Sequence, residues 1–377
     1  MAKQANLSVK ITKTIREIPQ KDWESVFPKA AEGYNFFKTL DESGFDGFSF
    51  FYIIIYDNGE PVGVASCFST RFALDMTVTG PLKFIFRQVR KIIPNLLSPK
   101  IMMCGLPMGT GQIGVKDNDP EILRQIEFAI EQLAEKDKAA LIVYKDFTFA
   151  YDQLLKPLLE RGYHKIESIP STEMEIDFSS FDDYLKKLSP SSREGFRRHF
   201  KKIDSRHNDL SMEVKGVLNE QELAEVYALY LQTYEKQGES IERLPLDFFR
   251  LISVNMPEET KFFLWRIEGK IAAFAFCLAK GGEFIDYYLG FDYALIKKYY
   301  LYFVRFRALL NWCIEHKIKR YEMGVTSYET KRRLGFKFVR FYFYMKHCNP
   351  VLNKVLPFLK FLFSPEHFEP VFKVMNK

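Results

Sequence analysis

The 377-residue chain contains no CxxC pair. Its five cysteines, Cys67, Cys104, Cys277, Cys313 and Cys348, stand far apart, so reduced, buried thiols are the expectation. The six histidines, His164, His199, His207, His316, His347 and His367, show neither metal-ligand spacing nor a nucleophile–base pattern. No metal is expected. HEXXH, Walker and catalytic Cys–His signatures are absent as well. No apolar run approaches the roughly 20 residues of a membrane span. The opening stretch MAKQANLSVK lacks the apolar core of a signal peptide. Together these point to a cytoplasmic protein. Sustained heptads are missing too, which speaks against a long coiled-coil arm.

What is present is a packed chain. Hydrophobic residues make up 47% and charged residues 27%, which excludes a disordered protein. The 37 Phe and 20 Tyr favour strands and large buried contacts. The length suits two domains. A net charge of +6 permits an anionic partner without demanding one.

A repeat runs through the chain. YIIIYDNGEPVGVASCF from Tyr52 matches FFLWRIEGKIAAFAFCL from Phe262, each an apolar strand, a turn ending in Gly and a second apolar strand. Asp57-Asn58-Gly59 and Glu268-Gly269 supply the positive φ of tight hairpins. In the first half, Ile122, Ile126, Ala129, Ile130 and Leu133 fall at helical spacing within Glu121 to Lys136, and the strand AALIVY follows. In the second half, Leu301 to His316 reads as a helix, followed by a strand from Lys319 to Met323 and by RRLGFKFV. The expected class is α+β, with two mixed, mostly antiparallel sheets flanked by helices. The expected domains are 8–170, with a basic apolar insertion at 81–100, then 171–348, then a tail at 349–377.

Three segments stand apart from the repeat. From Lys186 to Arg206 there are eight basic residues against two acidic ones. Ser191 and Glu194 fit a capping box there. Arg193, Arg197 and Lys201 share one helical face, read either as a solvated face or as a wall that binds an anionic substrate. The insertion Pro81 to Leu97 and the tail are both apolar and basic. Leu352, Leu356, Leu359 and Leu362 come close to one face of the tail, expected to pack on the second domain; the alternative is an interfacial helix in peripheral contact with a membrane.

The ordered series of hairpin, strand, helix, strand and Gly-aromatic, twice over, resembles two copies of the GNAT acyltransferase fold. LKKLSPSSREGFRRHFKK, Glu322-Met323-Gly324 and Lys331 make the second half similar to the CelD-type acetyltransferase domain. The whole also resembles the Fem peptidoglycan aminoacyl transferases. The resemblance implies a tandem GNAT fold, acyl-CoA as co-substrate and a site role for Lys331 at an oxyanion or a phosphate. It places Gly324, Thr326 and Ser327 beside the donor. Where the family has a glycine-containing turn that cradles a pyrophosphate at a helix N-terminus, this chain has Lys297-Lys298-Tyr299-Tyr300-Leu301, with two lysines to meet phosphates as charges. The run GLPMGTGQIGV, Gly105 to Val115, leaves open which half binds the donor.

Acyl transfer to an amine needs a base, an oxyanion donor and an attack geometry. Asp286 and Glu322 are the candidate bases; each could instead be a structural ion pair with Lys319 or Arg320. Tyr328 is a candidate acid to the leaving group, or else a buried tyrosine with a satisfied hydroxyl. Arg193, Arg197 and Tyr288 are the candidate substrate contacts. The first functional reading is an N-acyltransferase that moves an acyl group from a thioester to an amine of a small molecule or envelope precursor. The alternatives are an aminoacyl-tRNA-dependent transferase and a non-catalytic binder of lipid or nucleic acid.

Overall fold

The computed structural model describes residues 6–73, 98–204, 209–237 and 242–359, together with Phe84, Gln88, Lys91, Ile92 and Phe372. It divides into two units. Unit 1 comprises Met1–Pro170 and Arg340–Lys377; unit 2 comprises Ser171–Val339. Strands are numbered along the chain.

The sheet of unit 1 runs in the order β1 (Leu7–Thr12), β2 (Ser49–Asp57), β3 (Glu60–Arg71), β4 (Lys100–Cys104), β6 (Leu141–Thr148), β15 (Phe341–His347), β7 (His164–Glu167), with β5 (Ile113–Val115) paired to β3. The sheet of unit 2 runs β9 (Leu210–Lys215), β10 (Thr260–Ile267), β11 (Lys270–Lys280), β12 (Glu283–Phe291), β13 (Arg320–Glu322), β8 (Ser171–Glu175), β14 (Lys337–Val339). The two orders correspond strand for strand. In each sheet one neighbouring pair is parallel, β4 with β6 and β12 with β13; the others are antiparallel. The expected fold class is what the structure has.

The repeated hairpins form as the turn residues require. Asn58 and Gly59 have φ of 48° and 88°, and Glu268 and Gly269 have φ of 51° and 80°. Two successive left-handed residues match the twist of the flanking strands. The helix Pro120–Lys136 is capped by Asp119, whose side chain accepts from the Glu121 amide, and Pro120 takes the first helical position. Its expected apolar stripe is buried against β2, β3 and β4. The counterpart helix Leu301–Glu315 buries Leu301, Val304, Phe306, Leu309, Leu310 and Cys313 in the core of unit 2.

Four expectations need correction. The second domain ends at Val339 and not at residue 348, because Phe341–His347 pairs with β6 and β7. A strand joins the edge that offers it free backbone groups, whatever its place in the chain. The start of the tail packs within unit 1: Leu356 is buried with Phe68, Ile101 and Leu141, while Leu352 is exposed. Leu362 and nearly all of the Pro81–Leu97 insertion lie outside the described residues. The basic helix begins at Pro190, so its cap is Ser189, whose hydroxyl accepts from the Ser192 amide at 3.3 Å, and not Ser191. Cys348 is exposed; the other four cysteines are buried, and all five are free.

The strand order conceals an exchange. β8 follows β7 in the chain but pairs with β13 and β14. β15 follows β14 but pairs with β6 and β7. Each sheet therefore takes its sixth strand from the segment adjoining the other unit's last strand. Among the described residues, no helix is long and apolar enough to cross a membrane.

Candidate functional site

In unit 2, β12 and β13 pair over Glu283–Ile285 and Arg320–Glu322 and then part. Just beyond this point β12 carries a bulge: Cys277 faces Asp286 and Phe276 faces Tyr288, leaving Tyr287 as the extra residue. A bulge re-aims side chains where a strand leaves its neighbour. Asp286 points inward and is buried. Its Oδ2 accepts from Arg305 Nη2 and, at 3.1 Å, from the Tyr321 hydroxyl. The Cys277 thiol lies 3.9 Å from Oδ1. Arg305 is itself fully buried on the Leu301–Glu315 helix, and its Nε and Nη1 have no protein partner among the described residues. Burial works against its charge, yet the Asp286 carboxylate leaves its pKa raised. Burial and the same carboxylate push both Tyr321 and Cys277 well above their ordinary values.

Lys331 closes the other side. It sits on the short helix Tyr328–Arg333 and is 4% exposed. Its Nζ donates to the carbonyls of Met323, Gly324 and Val325 at 2.6, 3.1 and 2.8 Å. An ammonium has three protons, and here all three are taken. Burial pulls its pKa down to about 7; Asp286 and Glu322 oppose that shift and Arg305 adds to it. The loop that Lys331 holds is conformationally costly: Thr326 and Ser327, neither of them glycine, have φ of 73° and 52°. Gly324, at φ 61°, has its carbonyl bound also by the Thr172 hydroxyl at 2.8 Å. Glu322 is half-buried and accepts from Ser171 Oγ at 2.7 Å.

The fold and this geometry can be set beside known proteins. The FemAB-like family, described as peptidoglycan biosynthesis/recognition, matches residues 99–361, more than half of the chain. The chain belongs to the FemAB-like family. Among solved structures, FemX aligns over 92% of this chain and 99% of its own length, at 14% identity and a TM-score of 0.58. A tandem GNAT protein from the clavulanic acid biosynthesis pathway aligns over 92% and 99%, at 10% identity and a TM-score of 0.55. Both likenesses are of fold, and they identify the pair of units as a tandem GNAT fold. A curated protein of Mycobacterium tuberculosis named "Putative 8-amino-7-oxononanoate synthase 2" is 23% identical over 339 residues, covering 86% of this chain and 43% of the other. The chain spans less than half the length of that relative.

Within this FemAB-like chain, the structure brings three of the predicted residues together: Asp286, Glu322 and Lys331 surround the parting of β12 and β13. The expected partners of Asp286, Lys319 and Arg320, are not the ones found. Arg320 pairs with Glu173 and Glu283, and Asp286 pairs with Arg305. Tyr328 is buried with its ring against Phe338. Tyr288, at the bulge, donates to Glu242 at 3.0 Å; burial and that carboxylate raise its pKa well above the ordinary value. Lys297 and Lys298 are exposed in the turn before the Leu301–Glu315 helix. The amides of Leu295, Ile296, Tyr299 and Leu301 donate to carbonyls of the turn itself, so they are not turned outward as a pyrophosphate cradle. On the basic helix, Arg193 Nη2 donates to the carbonyls of Lys186 and Leu188, and Arg197 is exposed. Sequence reasoning missed Arg305. The signal was there: a lone arginine at i+4 from Leu301 and i−4 from Leu309 stands on an apolar face, where a charge needs a buried partner. Among the described residues, no group of three His, Cys, Asp or Glu side chains is placed to hold a metal ion.

Proposed function

We propose that the chain is an acyltransferase whose reaction takes place in unit 2, where β12 and β13 part. The observation that carries this reading is the end of strand pairing at Ile285 and Glu322, with Asp286, Glu322 and Lys331 gathered around it. Family membership and the tandem GNAT fold support it. An acyl group from a thioester donor, acyl-CoA, passes to the amine of an envelope precursor. The amine nitrogen bonds to the acyl carbon, the thiolate leaves, and the amine proton goes to a base.

Glu322 is the better base of the two carboxylates. Asp286 already serves as counter-ion to a buried guanidinium, and protonating it would leave Arg305 uncompensated. We assign Asp286 and Arg305 to positioning the end of β12. Lys331 orients the carbonyls of residues 323–325 and is assigned to shaping the loop beside the donor. The burial of Tyr328 supports a core role over that of an acid.

In unit 1 the comparable place is filled. The glycine run lies along β6: the Gly111 amide donates to the Asp146 carbonyl, and a Cβ at Gly111 would run into the Lys145 carbonyl and the Phe147 ring. This supports unit 2 as the donor's unit. A second reading, aminoacyl-tRNA as donor, is favoured by the match to the FemAB-like family, described as peptidoglycan biosynthesis/recognition.

The test is the melting temperature of the purified chain with CoA, acetyl-CoA, long-chain acyl-CoA and aminoacyl-tRNA, followed by a transfer assay. A shift with one thioester, and transfer lost in Glu322→Gln with the shift retained, is the expected result. A shift with aminoacyl-tRNA alone replaces the first reading by the second. No shift with any donor removes both.

A further inference from the structure

Unit 2 contains an open cavity of about 530 Å³, lined by Lys187, Leu188, Ser189, Ser191, Ser192, Glu329, Arg332, Arg333 and Gly335. This is within the size range of small-ligand sites. It lies on the outer side of the Tyr328–Arg333 helix, whose inner side carries Lys331. Its lining has three cationic side chains against one carboxylate. Lys187 pairs with Asp177 at 2.6 Å, and Arg332 pairs with Glu329 at 2.9 Å, both at exposed positions. Such pairs are weak and readily give up a partner to a stronger anion. Arg333 makes no close ion pair among the described residues, although, after the hydrogen bond from Arg332, its charge contributes to lowering the pKa of Glu329; its guanidinium lies 6.0 Å from the centroid of the Phe196 ring, on the neighbouring helix. The serine hydroxyls add short, rotatable donors: Ser189 and Ser191 stand 3.3 Å apart at the cavity wall.

We infer that this cavity binds a phosphate-bearing anion. The chemistry matches. Guanidinium groups present paired donors that fit phosphate oxygens, a lysine adds a point charge, and serine hydroxyls complete the set. The cavity and its cations carry the inference; the start of the Pro190–Asp204 helix at one wall adds to it. The turn before the Leu301–Glu315 helix makes the alternative poorer, since four of its amides are spent within the turn. Binding at this cavity is measured without the transfer reaction.

The probe is inorganic pyrophosphate, titrated calorimetrically into the full chain at low salt. Binding is expected, weakening steeply as salt rises. Arg333→Gln and Lys187→Gln should each weaken it several-fold, and the double variant at least tenfold. Glu329→Gln should tighten it, because it removes the one carboxylate and frees Arg332. All three positions are exposed or partly exposed at the surface, and melting curves without ligand confirm that the variants fold. Absence of pyrophosphate binding, or affinities within twofold of wild type across the variants, overturns the inference. So does a loss in Lys297→Gln with Lys298→Gln that the cavity variants do not share. Where binding is present, competition by CoA but not by unfractionated tRNA assigns the phosphate to a nucleotide cofactor. Competition by tRNA at lower concentration than CoA assigns it to nucleic acid. Because the readout is binding, failure here leaves the transferase reading standing, and failure of transfer leaves this inference standing.

Discussion

At Cys104 in unit 1 and at Ile285 in unit 2, the one parallel strand pair of each sheet comes to its end. Beyond those two points the units diverge. In unit 1 the chain turns through Gly105, Gly109 and Gly111, close to β6 at residues 105 and 111, with the Gly105 amide bonded to the Ser66 carbonyl of β3 and the Gly111 amide to the Asp146 carbonyl, before it pairs with β3 at Gly114. In unit 2 the same place holds a buried aspartate, a buried arginine with two nitrogens that lack a partner among the described residues, and a buried lysine. One copy of the fold has closed its central cleft with backbone. Both copies bury charge just beyond that point, unit 1 as the Lys145–Asp146 ion pair on β6 and unit 2 as the Asp286–Arg305 pair with Lys331, each at the cost of desolvation; in unit 1 the glycine-rich backbone covers it. Glycine makes that cover possible, because any side chain at residue 111 would collide with β6. Unlike residues at like positions thus set the two copies of the repeated fold apart.

The comparison can be broken most forcefully at Arg305. Arg305→Ala leaves Asp286 buried and unpaired, and should cost about 3–5 kcal/mol in urea unfolding. Hydrogen exchange should place the loss in unit 2, around β12 and the Leu301–Glu315 helix. An equal loss of protection in unit 1 would contradict the separation between the two copies. The reciprocal change is Gly111→Ala, which should destabilise unit 1 by about 1–3 kcal/mol through overpacking. Donor binding, read by the melting shift, should survive it; if binding vanishes while unit 2 stays protected, the donor belongs to unit 1.

Lys331 sharpens the comparison through pH. Its pKa falls by burial to about 7 from an ordinary 10.5. Between these values the unfolded chain binds more protons than the folded one, so stability rises with pH across that window and is insensitive to this group below it. Lys331→Met should flatten the stability profile between about pH 7 and 10.5. A slope identical to wild type would mean that the three carbonyls keep the ammonium charged throughout. The smallest effect is expected at Thr326. Asn tolerates left-handed backbone better than Thr, so Thr326→Asn should raise the melting temperature slightly, by less than about 1 kcal/mol in stability. A fall would show that the Thr326 side chain does something its exposed position does not reveal.

The repeat was legible because its signals are local. Asn58-Gly59 and Glu268-Gly269 announce hairpins within two residues, and the stripe from Ile122 to Leu133 announces a helix within three turns. Asp286 and Glu322 could be singled out as carboxylates on two successive strands, and Lys331 by the family resemblance, which gives a site role to a lysine soon after the strand that ends at Glu322. The partner of Asp286 was not legible, since Arg305 lies on the next helix and no local rule joins a strand carboxylate to it. The placing of β15 was hidden for a related reason. Its alternation fits any sheet edge, and its choice of β6 and β7 depends on pairings with residues far earlier in the sequence, such as Phe341 with Thr148 and Tyr342 with Glu167. Arg332 and Arg333 carry no local sign of a cavity, because the wall opposite them, from Lys187 to Ser192, comes from a distant part of the sequence.

The exchanged strands also bear on the order in which the molecule is made. A chain leaves the ribosome from its N-terminus, and domains ordinarily complete themselves in that order. Unit 2 has all seven of its strands once Val339 has emerged. Unit 1, though synthesised first, lacks the strand that joins β6 to β7 until His347 has been added. The earlier-born half is the later to close, and throughout the synthesis of the other half it presents β6 as an open edge.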